Sequence, residues 1–174
     1  KFDPVKVMQT IERERVTMWS SVPTMLHRVV HHADVPNYDL SSLVAVSFGA
    51  APISRETLAR AREVLPVKEN FTNAYGLTET HGVATVNGGK DLVGRGNSIG
   101  RPLPILDMQV GDPQGRPLAV GQLGEIQIYG PTITPGYWNR PDATAETVRG
   151  GWLHTGDLGY RDAEGFYFVV DRAK

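Results

Sequence analysis

Between Asn73 and Thr80 the chain reads Asn-Ala-Tyr-Gly-Leu-Thr-Glu-Thr, which gathers an aromatic ring, a glycine, two hydroxyls and a carboxylate into one short stretch. A flat ring at Tyr75 can stack on a planar base, and Gly76 lets backbone come close to a ligand. Thr78 can donate to a phosphate oxygen, and Glu79 is a hard oxygen donor suited to Mg²⁺, the usual companion of phosphates. The same residues also make an ordinary polar turn after a strand, with Thr78 and Glu79 as capping groups and Tyr75 as a core aromatic at a strand end. By themselves they leave both readings open.

Further along stand Gly124-Glu125-Ile126-Gln127-Ile128-Tyr129-Gly130, Gly136-Tyr137-Trp138, Trp152-Leu153-His154-Thr155-Gly156-Asp157-Leu158-Gly159, and the closing run from Gly165 through Asp171-Arg172-Ala173-Lys174. In this order the set resembles the adenylate-forming superfamily, which includes acyl-CoA synthetases, coumarate-CoA-type ligases, luciferases and peptide-synthetase adenylation domains. The resemblance covers essentially the whole chain. It implies a carboxylic acid attacking the α-phosphorus of ATP, loss of pyrophosphate, and transfer of the acyl group from acyl-AMP to the thiol of CoA. ATP/AMP and Mg²⁺ are the implied cofactors, with CoA as co-substrate.

By the same resemblance, Thr78 contacts the α-phosphate and Glu79 binds Mg²⁺. Tyr75 stacks on adenine, with Asn73, Ala74, Gly76 and the backbone of Gly49-Ala50-Ala51 lining the base. Asp157, read as part of a tight Thr-Gly-Asp turn, accepts from both ribose hydroxyls, and Arg172 lies near the ribose or the phosphate. Lys174 matches the hinge position between a large domain and a small lid. Glu125 reads as structural, bonding loop backbone, and Trp138 and Trp152 as core or packing aromatics. The substrate pocket is expected against Val46 to Ala51 and Gly76 to Gly82.

The Trp-Leu-His-Thr-Gly-Asp and Phe-Val-Val-Asp-Arg variants look more like fatty acyl- or aryl-CoA ligases than amino-acid-activating domains. A peptide-synthetase adenylation domain, a luciferase-like oxygenase and a non-catalytic AMP-binding module are the alternatives.

With 40% apolar residues and a net charge of −1, the chain offers no electrostatic case for nucleic acid or an anionic membrane. Without cysteine it has no disulfide, thiolate nucleophile or thiolate metal site. It shows neither a membrane-length apolar run nor a signal pattern, and a cytoplasmic location is expected. The resemblance implies small-molecule partners: a carboxylic acid, ATP and CoA. Both ends look like cuts through a larger protein, and the resemblance implies a phosphate loop upstream and a lid downstream. The chain alone is therefore expected not to turn over.

The elements that must position these residues follow from the pattern. Asp3-Pro4 opens a helix to about Arg15, and Val16 to Val22 reads as a short buried strand stopped by Pro23. Met25, Leu26, Val29 and Val30 give a second helical face, with His27, His31 and His32 expected toward solvent. Leu43 to Phe48 reads as a buried strand, Ser54 caps a third helix, and Val67 to Ala74 reads as a strand. Asn87 to Gly100 reads as a connecting loop. Beyond it come short strands, the turns Asp112-Pro113-Gln114-Gly115 and Asp162-Ala163-Glu164-Gly165, and a short helix capped by Asp142. The predicted class is α/β: a mostly parallel, helix-covered sheet followed by a small antiparallel β-sheet or distorted β-barrel. Residues 1–90 are expected to form the α/β subdomain and 91–174 the β-rich one.

Overall fold

The computed structural model describes residues 1–172, so Lys174 and its hinge assignment lie outside the described residues. Contacts divide the chain into one unit of Lys1–Ala74 with Asn87–Asn97 and a second of Tyr75–Val86 with the chain from Ser98 onward.

In the first unit, α1 (Pro4–Glu14), β1 (Met18–Ser21), α2 (Pro23–Val30), β2 (Ala45–Gly49), α3 (Arg55–Val64) and β3 (Phe71–Leu77) alternate along the chain. β1 pairs parallel with β2, and β2 parallel with β3. The local chemistry explains the starts. Asp3 accepts from the Val5 and Lys6 amides at the head of α1, and Ser54 Oγ accepts from the Thr57 amide at the head of α3. Met8 and Ile11 of α1, Leu26 and Val29 of α2, and Leu58 and Ala61 of α3 are buried with Val46 and Phe48 of β2. His27 and His31 are exposed with their rings 4.2 Å apart and tilted by 30°, and His32 is half-buried.

Four expectations are corrected here. β1 is shorter than residues 16–22 and alternates exposed with half-buried residues, because it is the edge strand of its sheet, next to β2. β3 starts at Phe71 rather than Val67 and runs on through Ala74 to Leu77, so Tyr75 and Gly76 are strand residues rather than loop. β4 (Gly82–Gly88) was not foreseen; its buried Thr85 and Asn87 hide the apolar signal by which a strand is recognised. The stretch expected as a loop from Asn87 holds the end of β4 and the short helix α4 (Gly89–Gly94).

The second unit is built on an antiparallel sheet ordered β10-β9-β7-β6, with β6 at Asp107–Gly111, β7 at Gly124–Tyr129, β9 at Trp152–Arg161 and β10 at Tyr167–Arg172. The two-residue strands β5 (Arg101–Pro102) and β8 (Val148–Arg149) pair with β4 and β9. Both foreseen turns are present. Asp112 Oδ1 accepts from the Gln114 and Arg116 amides, and Asp162 Oδ1 from those of Glu164 and Phe166. Ile126, Ile128 and Leu153 are almost wholly buried with Met108, Val110 and Tyr167.

Helix α5 (Pro141–Thr147) starts at Pro141 without a side-chain cap, so Asp142 sits in its first turn instead of capping it. Trp138 is not a packing aromatic: it is 90% exposed, whereas Trp152 does pack, with its ring 5.5 Å from that of Tyr129. Among the described residues no helix is long and apolar enough to cross a membrane.

One close approach ties β3 to the start of β4. A Cβ on Gly76 would stand 1.8 Å from the Gly82 carbonyl oxygen, a backbone atom that cannot move aside alone. Gly76→Ala is expected to lower stability by about 1–3 kcal/mol or more. Gly94→Ala, with open space around its Cβ, should leave stability unchanged or raised. Denaturant midpoints of the two variants check this, and equal midpoints would contradict it.

Candidate functional site

The second unit brings three of the expected residues together. Tyr75, near the end of β3, donates its hydroxyl to Asp157 Oδ2 at 2.6 Å. Arg172 of β10 lies directly opposite Asp157 in the strand register, and its Nε is 3.6 Å from Oδ1. Asp157 itself is buried, 6% exposed. Burial, and then the bond to Asp157, push the Tyr75 hydroxyl well above the ordinary tyrosine range, so it serves as a neutral donor.

The carboxylate is placed by a bulge, which corrects the expected turn. β9 uses His154 through Leu158 to span what β7 spans from Glu125 to Gln127, so Thr155-Gly156-Asp157 stand opposite the single residue Ile126. Gly156 has φ +74°, a conformation costly for any other residue. Glu125 fastens this bulge from β7. One carboxylate oxygen accepts the Gly156 amide at 2.9 Å, and the other accepts His154 Nδ1–H at 2.7 Å. Thr155 Oγ1 donates to the Ile126 carbonyl and accepts the Asp157 amide. The structural reading of Glu125 thus has a definite content: it sets the backbone from which Asp157 projects.

Thr78 and Glu79 occupy a single 3-10 turn, Thr78–Thr80, directly after β3. Thr80, 1% exposed, anchors the turn: its Oγ1 accepts the Leu77 amide and lies within donating distance of the Leu77 and Gly82 carbonyls. Thr78 is exposed and Glu79 half-buried. Tyr137 donates its hydroxyl to Glu79 Oε1 at 2.6 Å, and the Thr134 amide donates to the Glu79 carbonyl at 2.8 Å. That bond to Glu79, more than burial, raises the Tyr137 hydroxyl above the usual tyrosine range. Gly136-Tyr137 stood among the sequence motifs without a role. Nothing in the sequence signals a contact spanning the 58 residues back to Glu79.

The remaining expected residues lie in the first unit. Gly49 pairs with Ala74 across β2 and β3, and a Cβ on it would stand 2.2 Å from the Ala74 carbonyl oxygen. Asn73 pairs with Phe48 and is half-buried. Ala50 has φ +65°, uncommon for a residue with a Cβ, and it and Ala51 are exposed.

The donor set fits the groups that the sequence implies. Among the described residues no cluster of three or more His, Cys, Asp or Glu could hold a metal. A cation at Glu79 would therefore take one protein carboxylate and draw its other ligands from phosphate and water, the manner in which Mg²⁺ is usually held. Asp157 suits a hydroxyl donor: with Oδ2 accepting Tyr75, a diol would share the carboxylate with the phenol.

The model of the AMP-binding enzyme family matches residues 1–138. The chain belongs to that family. This AMP-binding enzyme chain is 42% identical over its whole length to a medium/long-chain-fatty-acid–CoA ligase of Mycobacterium tuberculosis, of which it covers 30%. Among solved structures it is similar to an amide bond synthetase from Marinactinospora thermotolerans, with TM-score 0.92 and 34% identity, covering 100% of this chain and 35% of that one. It is also similar to O-succinylbenzoate coenzyme A synthetase of Bacillus subtilis, solved in complex with ATP and magnesium ion. There the TM-score is 0.87 at 31% identity, over 99% of this chain and 35% of that one. The chain thus spans about a third of the length of the relatives it matches.

Tyr75→Phe removes the donor to a buried carboxylate and is expected to cost about 1–3 kcal/mol of stability at neutral pH. Because the folded-state pKa of Tyr75 is raised, its contribution is complete below the unfolded value near 10 and is lost as pH rises above it. Stability curves of wild type and Tyr75→Phe should therefore converge above about pH 10. A gap of constant size through that range would contradict the assignment.

Proposed function

We propose that the intact protein carrying this chain is an AMP-forming acid–thiol ligase: it joins a fatty or aryl carboxylic acid to AMP and passes the acyl group to CoA. The observation that carries this reading is the grouping of Tyr75, Asp157 and Arg172 in a chain of the AMP-binding enzyme family. The similarity to a fatty-acid–CoA ligase supports the acid and thiol substrates. The likeness to a synthetase solved with ATP and magnesium supports the nucleotide and the metal.

In this reading the Tyr75 ring lies against adenine, with Asn73, Ala74, Gly76 and Gly49-Ala50-Ala51 as backbone lining, and Asp157 accepts ribose hydroxyls. Arg172 places a guanidinium beside the same carboxylate, where it limits the cost of burying that charge and faces the ribose or α-phosphate. Thr78, exposed on its turn, donates to the α-phosphate as the acid's carboxylate attacks and pyrophosphate departs. Glu79 holds Mg²⁺, which when bound supplies positive charge to the departing phosphates. Lys174 is assigned to the hinge, the protein to the cytoplasm, and its partners to small molecules.

A second reading differs in the acceptor. The likeness to an amide bond synthetase favours an amine in place of the thiol. The two share the first half-reaction, so acid-dependent exchange of pyrophosphate into ATP tests the common part. Trapping a thioester or an amide from the same adenylate decides between them. Absence of acid-dependent exchange across fatty, aryl and amino acids would leave a nucleotide-binding module without ligase activity.

Two variants of the intact protein probe individual roles. Glu79→Gln should impair adenylate formation far more than thioester formation from supplied acyl-AMP, since the cation matters while pyrophosphate leaves. Equal losses in both half-reactions would make Glu79 structural. Asp157→Ala should weaken AMP binding by about 2–4 kcal/mol, measured by calorimetric titration. Unchanged affinity would remove Asp157 from the nucleotide site.

A further inference from the structure

We propose that Tyr137 is a positioning residue for the metal site, holding Glu79 so that its carboxylate offers the divalent cation a single oxygen. The inference rests on the reading of Glu79 as the Mg²⁺ ligand, and concerns a residue outside that assignment.

The segment after β7 grips the Glu79 turn at three points. The Thr134 amide donates to the Glu79 carbonyl, the Tyr137 hydroxyl donates to Glu79 Oε1, and His81 Nδ1–H donates to the Thr132 carbonyl at 2.8 Å. The first fixes the Glu79 backbone and the last holds the His81 ring that follows the turn. Only the Tyr137 bond reaches the carboxylate. Tyr137 is itself held: its amide donates to Thr144 Oγ1 at 2.9 Å, Thr144 Oγ1 donates to the Arg140 carbonyl, and the Arg140 amide donates back to the Tyr137 carbonyl. The phenol is thus presented from a closed loop of hydrogen bonds.

The consequence for a cation follows from coordination chemistry. A carboxylate oxygen that accepts a 2.6 Å bond from a phenol has one of its two lone pairs occupied. Oε2 remains as the strong donor, so the carboxylate binds one-handed. Mg²⁺ takes short, near-octahedral bonds and combines well with a single carboxylate oxygen, phosphate and water, whereas Ca²⁺ favours more ligands and two-handed carboxylates. Removing the hydroxyl frees Glu79 to rotate and to bind with both oxygens. That change penalises Mg²⁺ and relaxes discrimination against Ca²⁺. Exposure of Tyr137, 38%, means that Phe can replace it without leaving a hole in the core.

The test uses the intact protein and compares wild type, Tyr137→Phe and Glu79→Gln. Binding of Mn²⁺ as a probe, with a non-hydrolysable ATP analogue present, is read from the paramagnetic resonance of the free ion. Tyr137→Phe should weaken it by about tenfold, the usual effect of removing a partner that orients a metal ligand. In pyrophosphate exchange the same variant should need more Mg²⁺ and show a higher ratio of Ca²⁺- to Mg²⁺-supported rate. Melting temperature should match wild type. Wild-type Mn²⁺ affinity and metal preference in Tyr137→Phe, with both lost in Glu79→Gln, would overturn the proposal and leave the Glu79 assignment standing. No effect of Glu79→Gln on metal binding would instead sink the reading on which the proposal rests.

Discussion

The hydrogen bond from Tyr75 to Asp157 is the contact on which the organisation of the second unit depends. A buried carboxylate costs several kcal/mol unless its oxygens are partnered. Here the partners come from distant parts of the chain: a phenol 82 residues upstream on β3 and a guanidinium on β10. Each is delivered by a strand, and each strand must hold its register for the carboxylate to be satisfied. The bond therefore acts as a constraint on the sheet as much as a feature of the site. It also fixes the Tyr75 ring, whose rotation about its side-chain torsions would break the bond.

Around that contact the strands depart from regular geometry, in β9 opposite β7 and in β10 between Val169 and Asp171. The Thr155-Gly156-Asp157 bulge turns Asp157 into the interior, and the carboxylate of Glu125 stabilises the bulge by taking the Gly156 amide and the His154 ring together. Gly76 lets the Gly82 carbonyl approach, which closes β3 onto the start of β4 and leaves a single turn for Thr78 and Glu79 between them. The turn after β3 carries Thr78 and Glu79, while Tyr75, Asp157 and Arg172 stand on strands.

Much of this was legible in the sequence, for identifiable reasons. Helices α1 and α3 announced themselves through Asp3, Pro4 and Ser54, because caps are local and their chemistry is read from neighbours. The two Asp-led turns were legible for the same reason. The ordered motifs gave the family, and the fold class followed from the alternation of elements in the first half and the turn spacing in the second. What stayed hidden depended on contacts distant in sequence. β4 was missed because Thr85 and Asn87 are polar yet buried. The Thr-Gly-Asp stretch looked like a turn because a glycine at positive φ serves a turn and a bulge equally. Trp138 looked like core because tryptophan usually is, and only three-dimensional placement shows it in solvent. Tyr137 carried no local sign of its bond to Glu79.

The central claim is that Asp157, with the Tyr75 ring fixed against it, receives the nucleoside. A crystal structure of the intact protein with AMP tests it most directly. The account predicts the ribose hydroxyls within hydrogen-bond distance of the Asp157 carboxylate and adenine against the face of Tyr75, with the phenol still donating to Oδ2. A nucleotide bound with its ribose remote from Asp157, or a Tyr75 ring swung away from that carboxylate to admit it, would contradict the account.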